Sequence, residues 1–130
     1  MNFFEAISSA LFKYFQGSGR SSRSEYWFFG FSIFIVDRCL IFFDETEIAA
    51  SIFALATLIP FCTVCIRRFH DIGRSGWWMN IPFTVIGIIP FFYWMCQKGD
   101  EGENQYGSDP LAPFRDGASS NISSGDRNKQ

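Results

Sequence analysis

Residues 48–66 read IAASIFALATLIPFCTVCI, 19 positions without a charged side chain. At 1.5 Å per residue a helix of this length covers about 28 Å, close to the ~30 Å hydrocarbon core of a bilayer. Upstream, residues 26–43 read YWFFGFSIFIVDRCLIFF; downstream, 77–96 read WWMNIPFTVIGIIPFFYWMC. The three stretches take up 57 of 130 residues, and apolar runs of this length are foreign to soluble globular domains. The mean hydropathy of only +0.07 arises because these runs are averaged with a polar remainder. The fold class that follows is an all-α integral membrane protein with about three transmembrane helices, 26–43, 48–66 and 77–96.

The flanks of these spans refine the picture. Tyr26-Trp27, Trp77-Trp78 and Tyr93-Trp94 are aromatic anchors of the kind that sit at headgroup level. The second span carries small residues (Ala49, Ala50, Ser51, Ala54, Ala56) that let helices approach closely, and Pro60, which predicts a kink. The third carries Pro82, Gly87 and Pro90. Its aromatic ends favour one crossing, while its helix breakers leave open a re-entrant hairpin that returns the tail to the side it came from.

Residues 1–16 read as an amphipathic interfacial helix, with Phe3, Phe4, Ile7, Leu11, Tyr14 and Phe15 at three- and four-residue steps. Lying on the membrane and packing on the protein's own spans are equally compatible with that stripe. Residues 17–112 form the multi-span membrane domain, and 113–130 are expected to be a disordered polar tail, too poor in apolar residues to bury a core. The Asn121-Ile122-Ser123 sequon matters only in a glycosylating compartment. The acidic run 100–104 lacks the register of a calcium loop.

The net charge of −2 carries no general nucleic-acid signature, so no nucleic-acid partner is expected. Its distribution is more telling. Lys13, Arg20 and Arg23 precede the first span, and Arg67, Arg68 and Arg74 separate the second from the third; loop 44–47 holds Asp44, Glu45 and Glu47 and no base. With three crossings this gives six basic residues on one side against Lys98 on the other. The positive-inside rule then predicts a cytoplasmic N-terminus in a bacterial inner (plasma) membrane protein, and a tail outside. There is no basic start, apolar core and A-x-A site ahead of the first span, which is expected to act as an uncleaved insertion signal.

Cys39, Cys62, Cys65 and Cys96 all fall within the apolar runs, where small packing residues are the expected role; Cys62-x-x-Cys65 has no further ligand in a zinc register, so no metal or cofactor is assigned. Asp37-Arg38 is an intramembrane polar pair. Its charges are costly at depth, and it reads either as a pair near the outer interface or as part of an ion or proton pathway.

Two polar segments should meet at the cytoplasmic face: Gly19-Arg20-Ser21-Ser22-Arg23-Ser24-Glu25, and Arg67-Arg68-Phe69-His70-Asp71-Ile72-Gly73-Arg74. They bring together Arg20, Arg23, Arg67, Arg68 and Arg74 with Glu25, Asp71 and His70. A guanidinium fork binds phosphate and carboxylate bidentately, which suits anionic phospholipid headgroups or an acidic segment of a membrane-protein partner; the same arginines also serve to set topology and cap helix ends. His70-Asp71 has the composition of an acid–base pair, yet no nucleophile stands beside it, so no catalytic residue is assigned.

The pattern G-R-x-x-R-x-E-Y-W, then R-R-x-H-D-x-G-R-S-G-W-W, then G-E-N-x-Y-G-x-D-P resembles the family of small bacterial inner-membrane proteins known as domain of unknown function 805 (YhaH/YhaI-like). The resemblance runs from about Phe3 to Pro110 and implies a multi-span inner-membrane protein; it implies no activity, substrate or cofactor. Two functions remain to be separated. One is a non-enzymatic membrane protein whose arginine-rich face binds lipid headgroups, a partner protein or a second copy. The other is a membrane enzyme or transport component using His70, Asp71 and Asp37.

Overall fold

The computed structural model describes residues 2–118. Its elements are all helical: α1 (Phe3–Phe12), α2 (Arg23–Phe43), α3 (Ile48–Asp71), two 3₁₀ segments (Gly76–Phe83 and Val85–Gly87) and α4 (Ile88–Cys96).

Local chemistry sets the helix starts. In α1 the Asn2 backbone N–H donates to Glu5 Oε2 at 2.9 Å. Ser22 caps α2, its hydroxyl accepting the Glu25 N–H at 3.3 Å, which is why this helix begins three residues ahead of the apolar run. Asp44 organises the turn into α3: its carboxylate accepts from the Thr46 hydroxyl at 2.6 Å and from the Thr46 and Ala49 N–H groups at 3.0 and 2.9 Å. These bonds, the Thr46 hydroxyl first, hold its pKa below the ordinary 3.8. At its other end α3 continues five residues past Ile66, so Arg67, Arg68, His70 and Asp71 lie on its last turns.

α2 and α3 form the central pair, joined by the short 44–47 turn. Gly30 of α2 faces the Phe61 ring, and Tyr26, Phe29, Val64, Cys65, Phe69 and Met95 make the core. Away from this seam the side chains are apolar and exposed, as at Phe42, Phe43, Ile52 and Leu55. A helix of a water-soluble core would bury such residues; here α2 and α3 are long and apolar enough to cross a membrane and turn that surface outward.

The N-terminal helix packs on the protein's own long helices, chiefly α2. Its buried face is Ala6 and Ala10, whose small side chains let α1 lie close on α2, while Phe4, Leu11, Phe12 and Phe15 point away. The segment beyond it also repairs α3. Pro60 has no N–H, which leaves the Ala56 carbonyl without its helical donor; the Tyr14 hydroxyl donates to that carbonyl.

The run 77–96, for which the sequence leaves both one crossing and a re-entrant hairpin open, is not one continuous helix. The chain enters as a 3₁₀ helix, turns at 84–87 and returns as the nine-residue α4. At about 2.0 and 1.5 Å per residue the arms reach only ~16 and ~14 Å, and neither crosses 30 Å of hydrocarbon. Gly76 abuts Ile66 at the start of the segment, Trp78 meets Trp94 across it with ring centroids 5.4 Å apart, and Asp100 N–H bonds the Asp71 carbonyl at 2.7 Å after it. Both ends therefore lie at the arginine-rich end of the α2–α3 pair. The cause is local. Pro82 cannot donate into a helix, and at Gly87 a Cβ would sit 2.0 Å from the Ile81 carbonyl oxygen, so the backbone closes on itself where only glycine fits. Pro90 is tolerated because it sits in the first turn of α4, where N–H groups have no helical acceptor.

The polar tail expected to be disordered, 113–130, opens with a helical stretch at 112–118; from 119 onward it lies outside the described residues.

Candidate functional site

The two polar motifs do meet, and the chain after α4 joins them. Asp71, the last residue of α3, lies between two guanidinium groups: Arg20 Nε donates to Oδ1 at 2.9 Å and Arg68 Nη1 to Oδ2 at 2.8 Å. One turn inward, Arg67 Nη1 donates to Glu25 Oε1 at 2.9 Å, and the same oxygen accepts from the Ser9 hydroxyl of α1 at 3.2 Å. Arg20, Arg67, Arg68, Glu25 and Asp71 are all buried. Three positive charges thus face two negative ones in a site nearly closed to water.

Backbone carbonyls take up part of the remainder, while Arg67 Nε and Nη2 and Arg68 Nε are buried without a partner among the described residues. Arg20 donates to the carbonyls of Asp100 and Gly102, and to Gly107 at 3.4 Å. Arg68 donates to the Gln97 carbonyl and, at 3.4 and 3.5 Å, to those of Met95 and Trp94 in the last turn of α4, where carbonyls lack helical donors and the helix dipole is negative. Residues 97–107 therefore form a strap across the cluster, held by main-chain oxygens. Gly99 is the point of closest approach: a Cβ there would lie 1.9 Å from the Asp71 carboxylate.

The remaining residues predicted for the site lie around this cluster. The His70 ring stacks on Tyr106 with centroids 4.0 Å apart, its Nδ1 lies 3.1 Å from the Gly19 carbonyl, and the Asn104 amide donates to the His70 carbonyl at 2.9 Å. His70 thus latches the strap and does not touch the Asp71 carboxylate through any hydrogen bond. Arg74 packs its guanidinium over Trp94 at 4.3 Å. Arg23 is exposed, donates to the Cys96 carbonyl at 3.3 Å, and lines a shallow cleft with Ser24, Trp27 and Cys96. Neither Arg23 nor Arg74 has a carboxylate partner among the described residues. Asp37 and Arg38 are not brought to the site. They pair with each other on α2, twelve and thirteen residues beyond Glu25, ~18–20 Å along the helix.

A cavity of about 330 Å³ opens beside the strap, lined by Arg23, Lys98, Glu101, Asp109 and Arg115 among others. Its charges are largely spent on each other, since Lys98 pairs with Glu101 and Arg115 with Asp109. The hydrogen-bonded Lys98 ammonium, and after it Arg115, hold the Glu101 carboxyl below its ordinary 4.5. Among the described residues no group of three or more His, Cys, Asp and Glu side chains is placed to hold a metal.

The strap is not legible in the sequence as part of the site because its contribution is carbonyl oxygen, which every residue owns. The available signal was the third motif, whose glycines at 102 and 107 and whose Asn104 and Tyr106 sit where those contacts are made.

Two lipid-length apolar helices, a folded-back apolar hairpin and a buried ionic cluster at one end define an all-α integral membrane protein. This chain belongs to the family described as "Protein of unknown function (DUF805)", whose model matches residues 14–108, from the tyrosine that repairs α3 to the end of the strap. It is similar to "Inner membrane protein YhaI" of Escherichia coli (strain K12), 37% identical over 108 residues that cover 78% of this chain and 92% of that protein. It is also similar to "Inner membrane protein YhaH" of the same strain, 33% identical over 107 residues covering 71% of this chain and 84% of that one. No solved structure matches.

Proposed function

We propose that this chain is a multi-pass inner-membrane protein with a cytoplasmic N-terminus and no reaction centre, in which the buried arginine–carboxylate cluster is a structural keystone and the Arg23–Ser24–Trp27 cleft takes the phosphate of an anionic lipid headgroup. The observation that carries this reading is the division among the arginines. Arg20, Arg67 and Arg68 are buried and paired, whereas Arg23 is exposed, has no carboxylate partner among the described residues and stands beside an interfacial tryptophan. A guanidinium with free N–H groups at headgroup level is suited to phosphate. The folded-back third segment supports the orientation as well. With Lys98 returned to the arginine-rich end, seven basic residues (Lys13, Arg20, Arg23, Arg67, Arg68, Arg74, Lys98) oppose none in loop 44–47.

The test has two parts. A phosphatase reporter active only outside the cytoplasm should be silent when fused after Asp109 and active when placed in loop 44–47. Arg23→Ala should insert normally but lose phosphatidylglycerol retained by the wild-type protein through detergent purification, as read by native mass spectrometry. An active reporter at Asp109 rejects the orientation of the tail, and unchanged lipid retention in Arg23→Ala rejects the headgroup site.

A further inference from the structure

We infer that this chain pairs with a second copy of itself through the α2–α3 groove, Arg38 of each copy reaching Asp37 of the other. Asp37 and Arg38 lie six and five residues before Phe43, about 9 and 7–8 Å inside the end of α2, where exposed charge facing hydrocarbon is costly. Arg38 is nevertheless 57% exposed. The pair satisfies itself only in part: both Arg38 bonds, from Nε at 3.2 Å and from Nη2, go to the one oxygen Asp37 Oδ2. Asp37 Oδ1 and Arg38 Nη1 have no partner among the described residues.

These leftover groups are complementary to each other, and a lipid tail offers neither a donor nor an acceptor. A twofold axis in the membrane beside α2 sets each unused oxygen opposite the other copy's unused nitrogens, as an isologous contact requires. The surface around them fits this occupant. Asp37 lines a groove between α2 and α3 together with Phe34, Phe61 and the small residues Gly30, Ala54 and Thr57, which let a helix approach closely. The Arg38 guanidinium is held 5.6 Å from the centroid of the Phe34 ring, on the side of this groove. The inference rests on α2 crossing the membrane and is independent of the Arg23 headgroup site.

The full-length chain, labelled in two colours and reconstituted in phosphatidylethanolamine–phosphatidylglycerol vesicles, reports pairing by energy transfer as the protein-to-lipid ratio is varied. Asp37→Asn and Arg38→Gln should each weaken pairing about tenfold, the scale of one or two interhelical polar contacts in a bilayer. An equimolar mixture of the two variants should recover part of the loss, because a mixed pair regains one intact Asp37–Arg38 bridge and neither variant alone can form any. That recovery also requires both variants to be folded. Variants that pair like the wild type, or a mixture no better than either variant, overturn the inference. A wild-type chain that stays monomeric at every ratio also overturns it; if Arg38→Gln then also loses bound phosphatidylglycerol, Arg38 serves a headgroup instead. A correctly inserted, monomeric chain would leave the two-span reading intact.

Discussion

Asp71→Asn is the sharpest test of the keystone. The wild-type carboxylate gives one oxygen to Arg20 at 2.9 Å and the other to Arg68 at 2.8 Å, with both guanidinium groups fully buried. An asparagine of the same shape keeps one acceptor and turns an N–H₂ donor toward the second arginine. Two buried cations then lose their counter-charge. Removing one member of a buried ion pair costs about 3–5 kcal/mol. At about 1.4 kcal/mol per factor of ten, that is a fall of roughly two to four orders of magnitude in the folding equilibrium. Unfolding in mixed micelles, followed by tryptophan fluorescence, is suited to the measurement because Trp78 and Trp94 pack on one another beside Arg74. Hydrogen exchange should show which part yields first: the strap, through the Asp100 N–H that bonds the Asp71 carbonyl. An Asp71→Asn protein within about 1 kcal/mol of wild type would refute the ionic account, because that is the size of a surface pair.

Glu25→Gln should destabilise on the same scale by stranding Arg67, whereas the double replacement Glu25→Met with Arg67→Met should recover most of the loss, since well-packed apolar residues often substitute for a buried pair at little cost; equal losses in the single and double variants, read by the same unfolding assay, contradict this. Tyr14→Phe should cost about 1 kcal/mol by removing the donor to the Ala56 carbonyl, and should speed hydrogen exchange in α3 around Pro60 more than at its ends; uniform exchange along the helix would mean the carbonyl was not relying on Tyr14.

Much of this protein follows from the sequence because the relevant physics is local. The lengths of the runs at 26–43 and 48–66 compare one number with the thickness of a bilayer. The start of α2 is local as well, since the Ser22 cap needs only the next three residues, although the apolar run by itself points to Tyr26. The arginines at 20, 23, 67, 68 and 74 declare one polar end because so many charges together are too costly to place in hydrocarbon. The third apolar run was not decidable in this way. Pro82 and Gly87 weaken a helix, but whether the chain then crosses or returns depends on what the far arm can pack against, and Trp78 on Trp94 and Arg68 on Gln97 decide it. The use of the arginines was equally hidden. Residue type says that a guanidinium wants oxygen; it does not say whether the oxygen belongs to a lipid phosphate, to Asp71 fifty-one residues from Arg20, or to a main-chain carbonyl. Only the tertiary structure shows the division, by burying Arg20, Arg67 and Arg68 while leaving Arg23 exposed and Arg74 half-buried, because burial is a property of what surrounds a residue and not of the residue itself.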